Sequence, residues 1–431
     1  MKPATLFSAV MVGTVTASVG IVGPAAFADQ DYPSWNDVQK AKQSEATKRV
    51  EIDKITALLA GLQAASTEAS KASLIAAEAY RVTQDQLDAA TARESNLIRQ
   101  TDAAQARADT SKMRAGLISA HLAKAGAQDL SLNLFLNGNS ANDLLHQLGT
   151  ASKLAEQSET IYRQAVQDKN TAESLAEQAA SAQAERARLT AESKATFDKA
   201  NAAAQAAQAA LEAEQKKSSE LYEQLALLKD TTAEAERAYQ TGVDAVAAAV
   251  AFAQAQAAAA AKAAAAAEAA DPVPSDSGSD DGGSSGGSSG SSGGASSGGY
   301  VPVPNTSAVN TALGFARAQL GDRYLLNGYG PDVWDCSGLT KASYAAAGIY
   351  IGTHSATNQY NTMAGQGRLV SFSQVQAGDL VFWGSPGNYY HVALYVGDGQ
   401  VLEAPNPSQP VRVHSIWSSG DVASYVGRPS A

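Results

Sequence analysis

The chain of 431 residues has a single cysteine, Cys336, which excludes an intramolecular disulfide and any cysteine-based metal cluster. Aromatic residues are scarce at 6%, and much of the 45% hydrophobic content is alanine, thin material for one large globular core. Proline is missing from Ser34 to Asp271, and glycine there is reduced to Gly61, Gly116, Gly126, Gly138, Gly149 and Gly242. A stretch so poor in helix breakers is expected to be helical. Basic charge is also short: 32 Lys and Arg stand against 43 Asp and Glu, with no segment carrying the cationic excess that phosphate binding demands. No nucleic-acid partner is expected.

An apolar, uncharged run from Ala4 to Val22 follows Lys2 and ends near Ala26-Phe27-Ala28, a small-x-small cleavage pattern. Residues 1–28 therefore read as a secretory signal peptide, and no other stretch looks apolar enough to span a membrane once it is cleaved. The mature protein is expected outside the cytoplasm. There a lone cysteine is either a buried passenger or a thiol kept free for chemistry.

Residues 29–236 read as a long antiparallel α-helical coiled-coil hairpin. Ile55, Leu59 and Leu62, then Leu87, Ala90 and Leu97, recur at spacings of three and four. Ser34 with Asp37 has the pattern of an N-cap with an acidic N3 residue, as does Ser140 with Asp143. Nearly equal arms, Ser34–Ala125 and Ser140–Asp230, flank a poor helix former, with the hairpin tip at 126–148. Leucines alternate there from Leu130 to Leu136, as a self-packed cap or as a surface that docks a partner. Residues 237–270 form an alanine-rich helix, either folded back on the hairpin or a spacer. Residues 271–304 are a Gly/Ser-rich flexible linker.

Residues 305–431 differ in composition and hold three of the four tryptophans, Trp334, Trp383 and Trp417. A helix is expected over Asn305–Leu320 and another directly after Asp335. Cys336 then sits at a helix N-terminus, where the exposed amides favour a thiolate and lower its pKa. Strands are expected over Asp379–Gly384, Tyr390–Val396, Gln400–Glu403 and Val411–His414, giving an α+β domain. A cysteine nucleophile needs a base and a group to orient that base. His391, opening an apolar strand, is the best base, and Glu403 on the next strand is the natural orienter; His414 is the alternative, and His354 lies in a loop. The register decides. Glu403 shares a face with His391 only if the connection has three residues or the strand carries a bulge, whereas a plain Asp398-Gly399 turn puts it on the other side.

Tyr324, Asp335-Cys336-Ser337-Gly338-Leu339, Gly378-Asp379-Leu380-Val381-Phe382 and His391-Val392-Ala393-Leu394-Tyr395-Val396-Gly397 together resemble the NlpC family of papain-like cell-wall cysteine peptidases. The resemblance covers about residues 305–431 and implies a papain-like α+β fold. By it, Cys336 is the nucleophile, His391 the base and Glu403 the third polar residue, a position often occupied by His. Tyr324 would assist the oxyanion, and Ser337 and His354 would contact substrate. No cofactor or metal is implied. The Gly-Gly usual after the tyrosine is replaced by Asn327-Gly328-Tyr329-Gly330. The implied reaction is hydrolysis of peptidoglycan stem peptides, commonly between D-isoglutamate and diaminopimelate, by a secreted, cell-wall-associated enzyme. The whole chain is also similar to the Rip-type and PcsB-type division hydrolases, whose coiled coils engage the FtsEX transporter complex or block the catalytic groove. The alternative is a coiled-coil division scaffold whose C-terminal domain only binds wall peptides.

Overall fold

The computed structural model describes residues 32–126, 141–269, 303–407 and 409–431. The N-terminal apolar run, most of the hairpin tip with its leucine alternation and Ser140 cap, and nearly all of the Gly/Ser-rich linker lie outside these residues. Helix dominates the N-terminal half. α1 (Trp35–Ala41) is closed by a capping box: the Ser34 side chain accepts from the Asp37 N–H, and the Asp37 carboxylate accepts from the Ser34 N–H. The first arm is not continuous from Ser34, as the sequence had suggested. Ser44 supplies a second N-cap, its Oγ accepting from the Thr47 N–H at 3.2 Å, and α2 (Glu45–Gly126) starts there. α3 (Ala141–Lys229) returns, and α4 (Ala233–Ala269) follows after a short turn.

Two compact units divide these helices, one of residues 83–195 and one of the rest. In the larger unit Ile55, Leu59 and Leu62 of α2 pack on Leu221, Leu225 and Leu228 of α3, and Ala69 packs on Ala207 and Ala210. In the smaller unit Ala104 and Ala108 meet Ala172, and Arg186 pairs with Glu94. In each unit a later position on α2 meets an earlier one on α3, so the arms are antiparallel. Alanine seams bring helix axes close but bury little area, so each contact contributes less than a leucine layer would.

The C-terminal domain opens with α5 (Thr306–Ala318), capped by Asn305, whose Oδ1 accepts from Ser307 and Ala308 N–H. A two-stranded parallel ribbon, β1 (Arg323–Tyr324) and β2 (Val333–Trp334), leads into α6 (Cys336–Ala346) and α7 (Ala356–Gly365). Six antiparallel strands follow, in the order β3 (Leu369–Ser371), β8 (Tyr425–Gly427), β4 (Leu380–Ser385), β5 (Asn388–Gly397), β6 (Gln400–Glu403), β7 (Arg412–Ser415). One sheet face carries Phe382, Val392 and Leu394 against Leu313 of α5 and Leu339 and Tyr344 of α6. The opposite face, with Val381, Trp383, Ala393 and Tyr395, is covered by Leu74 of α2 and Ala259 of α4. Phe252 of α4 packs edge-on to Phe372 at 5.6 Å and stacks on Tyr395 at 6.2 Å.

α4 thus lies on the sheet. Within Ala233–Ala266 an 18-residue window has a mean hydropathy of 1.4, which reaches the length and composition of a membrane-crossing helix and corrects the expectation that only the N-terminal run would. Alanine supplies that hydropathy, and a mostly alanine helix packs closely on a sheet as readily as in lipid.

A buried ion pair ties the sheet's entry to its end. Arg428, fully buried, donates through Nε to Asp379 Oδ1 at 2.9 Å and through Nη2 to Oδ2 at 2.7 Å. Removing one partner strands the other charge in the core. Arg428→Ala should cost about 3–5 kcal/mol in chemical denaturation, and Asp379→Asn combined with Arg428→Met should recover part of it. A loss under 1 kcal/mol for the single variant would contradict this placement.

Candidate active site

Asp335 ends β2 in extended backbone and caps α6, its Oδ1 accepting from the Gly338 N–H at 2.8 Å. That cap fixes Cys336 as the first helical residue. Oδ1 also meets His354 Nε2 at 2.7 Å, and Oδ2 accepts from the Asn327 N–H at 2.9 Å. Burial alone would raise the Asp335 pKa, but His354, Arg81 and the Gly338 amide hold it below the usual range. Gly338 is required for space: a Cβ there would stand 2.7 Å from His354 Nε2. Asn327, in left-handed backbone, and Gly328 carry the loop that replaces the expected glycine pair, and Gly328 closes on the Trp334 backbone.

The His391–Glu403 register resolves through a bulge. Asp398 and Gly399 both have positive φ, 51° and 69°, forming a two-residue turn that pairs Gly397 with Gln400. Between Tyr395 and Gly397 the register shifts by one, and Leu394 then pairs with Leu402. The extra residue, Val396, restores Glu403 to the His391 face. His391 Nε2 lies 2.9 Å from Glu403 Oε2, both side chains fully buried. An ionised carboxylate only accepts, so Nε2 carries the proton. Nδ1, buried and without a hydrogen-bond partner, is the nitrogen left to act as a base. Glu403 would rise on burial, yet His391, Arg412 and the Trp417 indole bring it down to about 2.

The thiol departs from expectation. The helix N-terminus was expected to lower its pKa, but Cys336 is 7% exposed and its pKa is pushed up, first by burial and then by the negative charges of Asp335 and Glu78. The Val392 N–H directed at the sulfur and the charge of Arg81 oppose this and lose. Tyr324 is buried, its pKa raised well above 10 by burial and by the charges of Asp335 and Cys336. Ser337, 1% exposed, turns its hydroxyl to Asp335 rather than outward. His354 faces Asp335, with Tyr329 beside its ring. Among the described residues no group of His, Cys, Asp and Glu could hold a metal.

Two residues far upstream in sequence complete the site, and sequence reading did not find them. Glu78 of α2 accepts from Ser355 Oγ at 2.6 Å and from the Thr357 and Ala356 N–H groups at 2.9 and 3.1 Å. These amides open α7 and have no acceptor inside it, so Glu78 caps a helix from another element. One turn later, Arg81 donates to Asp335 and to Asn327 Oδ1. Both side chains are buried. The only local signal was a charged pair spaced i, i+3 on one helix face, which any solvated coil displays.

Residues 321–427 match the NlpC/P60 family. The C-terminal region of this chain is an NlpC/P60 domain. It is 40% identical over 102 residues to the peptidoglycan endopeptidase RipA of Mycobacterium tuberculosis, covering 24% of this chain and 20% of that protein. It is 36% identical over 113 residues to a probable endopeptidase of Corynebacterium glutamicum, covering 26% of this chain and 51% of the relative. Among solved structures, the NlpC/p60 domain of the peptidoglycan hydrolase SagA is 36% identical, with 28% of this chain and 97% of that one covered and a TM-score of 0.25. The chain spans a fifth to a half of the length of these curated relatives.

Burial raises Glu78 from 4.5 to about 7, outweighing its hydrogen bonds from Ser355 and Thr357. A carboxyl with a raised pKa in the packed state favours packing fully below 4.5 and loses that contribution as pH climbs through about 7. The ratio of Cys336 alkylation by iodoacetamide in the natural chain to that in Glu78→Gln should therefore rise between pH 5 and 8. A flat ratio would contradict the buried, protonated Glu78.

Proposed function

We propose that the protein is a secreted peptidoglycan endopeptidase that uses Cys336, His391 and Glu403 to hydrolyse stem-peptide amide bonds, and that the first arm of its coiled coil holds it inactive. The observation that carries this reading is the pairing of His391 with an ionised, buried Glu403, with the amide of the next residue, Val392, directed at the sulfur of the chain's one cysteine, in a domain whose relatives are named peptidoglycan endopeptidases. A domain kept only for binding wall peptides would have no need to hold a charged carboxylate on a buried imidazole, at a desolvation cost of several kcal/mol.

In the reaction, His391 Nδ1 takes the thiol proton, and the thiolate attacks the carbonyl carbon of the stem amide. The tetrahedral oxyanion is stabilised by backbone N–H groups near the start of α6, with Tyr324 beside it. Its collapse expels the amine, which takes the proton back from the imidazolium. Water then attacks the acyl-enzyme with His391 as base and releases the acid. The D-isoglutamyl–diaminopimelate bond is the proposed target, by resemblance to the family.

Glu78 and Arg81 give the coil its role. They occupy the mouth of the site with a buried carboxyl and a buried guanidinium, and the thiol beneath is kept protonated. Release needs the α2 segment to leave, and the FtsEX complex pulling on the coil through its tip is the partner proposed for that step, on likeness to division hydrolases. Export through the segment 1–28 would deliver the protein to the wall.

The test is digestion of diaminopimelate-type muropeptides, read by mass spectrometry. The natural chain should cleave slowly, Arg81→Ala at least about tenfold faster since one buried charge pair is worth more than 1.4 kcal/mol, and Arg81→Ala with Cys336→Ala not at all. Cleavage that survives loss of the cysteine would overturn the peptidase reading; equal rates with and without Arg81 would overturn the inhibition.

A further inference from the structure

The Glu403 carboxylate has two oxygens and about four directions in which to accept, and the structure fills all four. Oε1 accepts from Arg412 Nε at 3.2 Å and Nη2 at 3.1 Å. Oε2 accepts from the Trp417 indole N–H at 3.1 Å and faces His391 Nε2 at 2.9 Å. Arg412 reaches this place because β6 and β7 pair Glu403 with Arg412 directly across the ladder. Trp417 reaches it by stacking on Trp383, ring centres 5.2 Å apart and planes 15° from parallel. The same two indoles flank the imidazole, at 5.1 Å for Trp383 and 5.5 Å for Trp417.

We propose that Arg412 and Trp417 are positioning residues: together they saturate Glu403 so that it offers His391 a single acceptor, which fixes the imidazole as the Nε2–H tautomer and leaves Nδ1 for the Cys336 thiol. The inference rests on the reading of Cys336, His391 and Glu403 as the working residues. Neither Arg412 nor Trp417 touches substrate; both act through Glu403.

The physical argument turns on what a buried carboxylate does with fewer donors. Left with His391 alone, Glu403 could rotate, bind water or take a proton, and each of these loosens its hold on Nε2. Arg412 supplies a charge that is always present and a fork that accepts only one orientation of the carboxylate. Trp417 supplies a neutral donor that cannot be mistaken for an acceptor. Arg412 also lies beside His414 of β7, and across a cleft of about 570 Å³ stand Glu214 of α3 and Arg237 and Asp244 of α4. None of these hydrogen-bonds Glu403, so apart from His391 the carboxylate depends on Arg412 and Trp417.

The experiment is ¹⁵N NMR of the full chain labelled at histidine, with the His391 ring assigned by its loss in His391→Gln. In the natural chain the His391 ring should show one nitrogen protonated and one free, the free one being Nδ1. Arg412→Met should draw the two nitrogen shifts together as tautomers mix, and Trp417→Phe, which keeps the stack, should do so to a lesser degree. Arg412→Lys, keeping charge without the fork, should restore part of the separation. In the Arg81→Ala background, Arg412→Met should lower kcat about tenfold or more with KM unchanged. An unchanged His391 signature in both Arg412→Met and Trp417→Phe would overturn the proposal, whatever their melting temperatures, and would leave Arg412 as a brace between strands. Because the NMR reading needs no turnover, a failure of the peptidase assignment would appear separately, in the muropeptide digestion.

Discussion

A carboxylate taken out of water must find donors on every side, and the site is built around that requirement at Asp335. Its oxygens cap α6, and so set Cys336 at the first turn, tether the 327–328 loop and orient His354. One donor comes from outside the domain, the Arg81 guanidinium on α2. The residue that positions the nucleophile is therefore also the residue that the coiled coil grips. A helix fastened there touches the residue that caps α6 itself rather than merely shading the groove, and one side chain both caps its own helix and holds α2.

Glu78 makes the complementary contact. The first amides of α7 present a positive end that some acceptor must satisfy, and in this arrangement the acceptor is a carboxyl three residues before Arg81. One helical turn thus places an acid against a helix N-terminus and a base against an acid. On the far side of the sheet, α4 reinforces the hold through Phe252, the one bulky apolar side chain in a long alanine stretch. The two attachments differ in kind: the front is charged and pH-sensitive, while the back is apolar and depends on buried area.

Much of this was legible in the sequence because the chemistry is local. Asp335-Cys336 before a helix, His391 at a strand start and Glu403 one strand later could be read from residue type and spacing. Even the need for a bulge or longer turn followed from the period of two, and Val396 supplies the bulge. The short strands β3 and β8 escaped notice because three residues carry no alternation. Arg412 required the β6–β7 register to be matched to Glu403. Glu78 and Arg81 were invisible for a stronger reason: a contact across about 250 residues leaves no trace in a coil whose every turn carries charge. The thiol was misjudged on the same account, since its helix N-terminus was visible and its burial under acidic neighbours was not.

The amides of Ala356 and Thr357 report on the central claim directly, because as the first residues of α7 they have no acceptor other than Glu78. Hydrogen exchange measured at those two positions in the natural chain, with Glu78→Ala beside it, should find slow exchange that becomes fast on removal of the carboxyl, while amides in the middle of α7 stay unchanged. Fast exchange at both positions in the natural chain would mean that α2 does not rest on the site, and the account of a coiled coil locking its own hydrolase domain would fall.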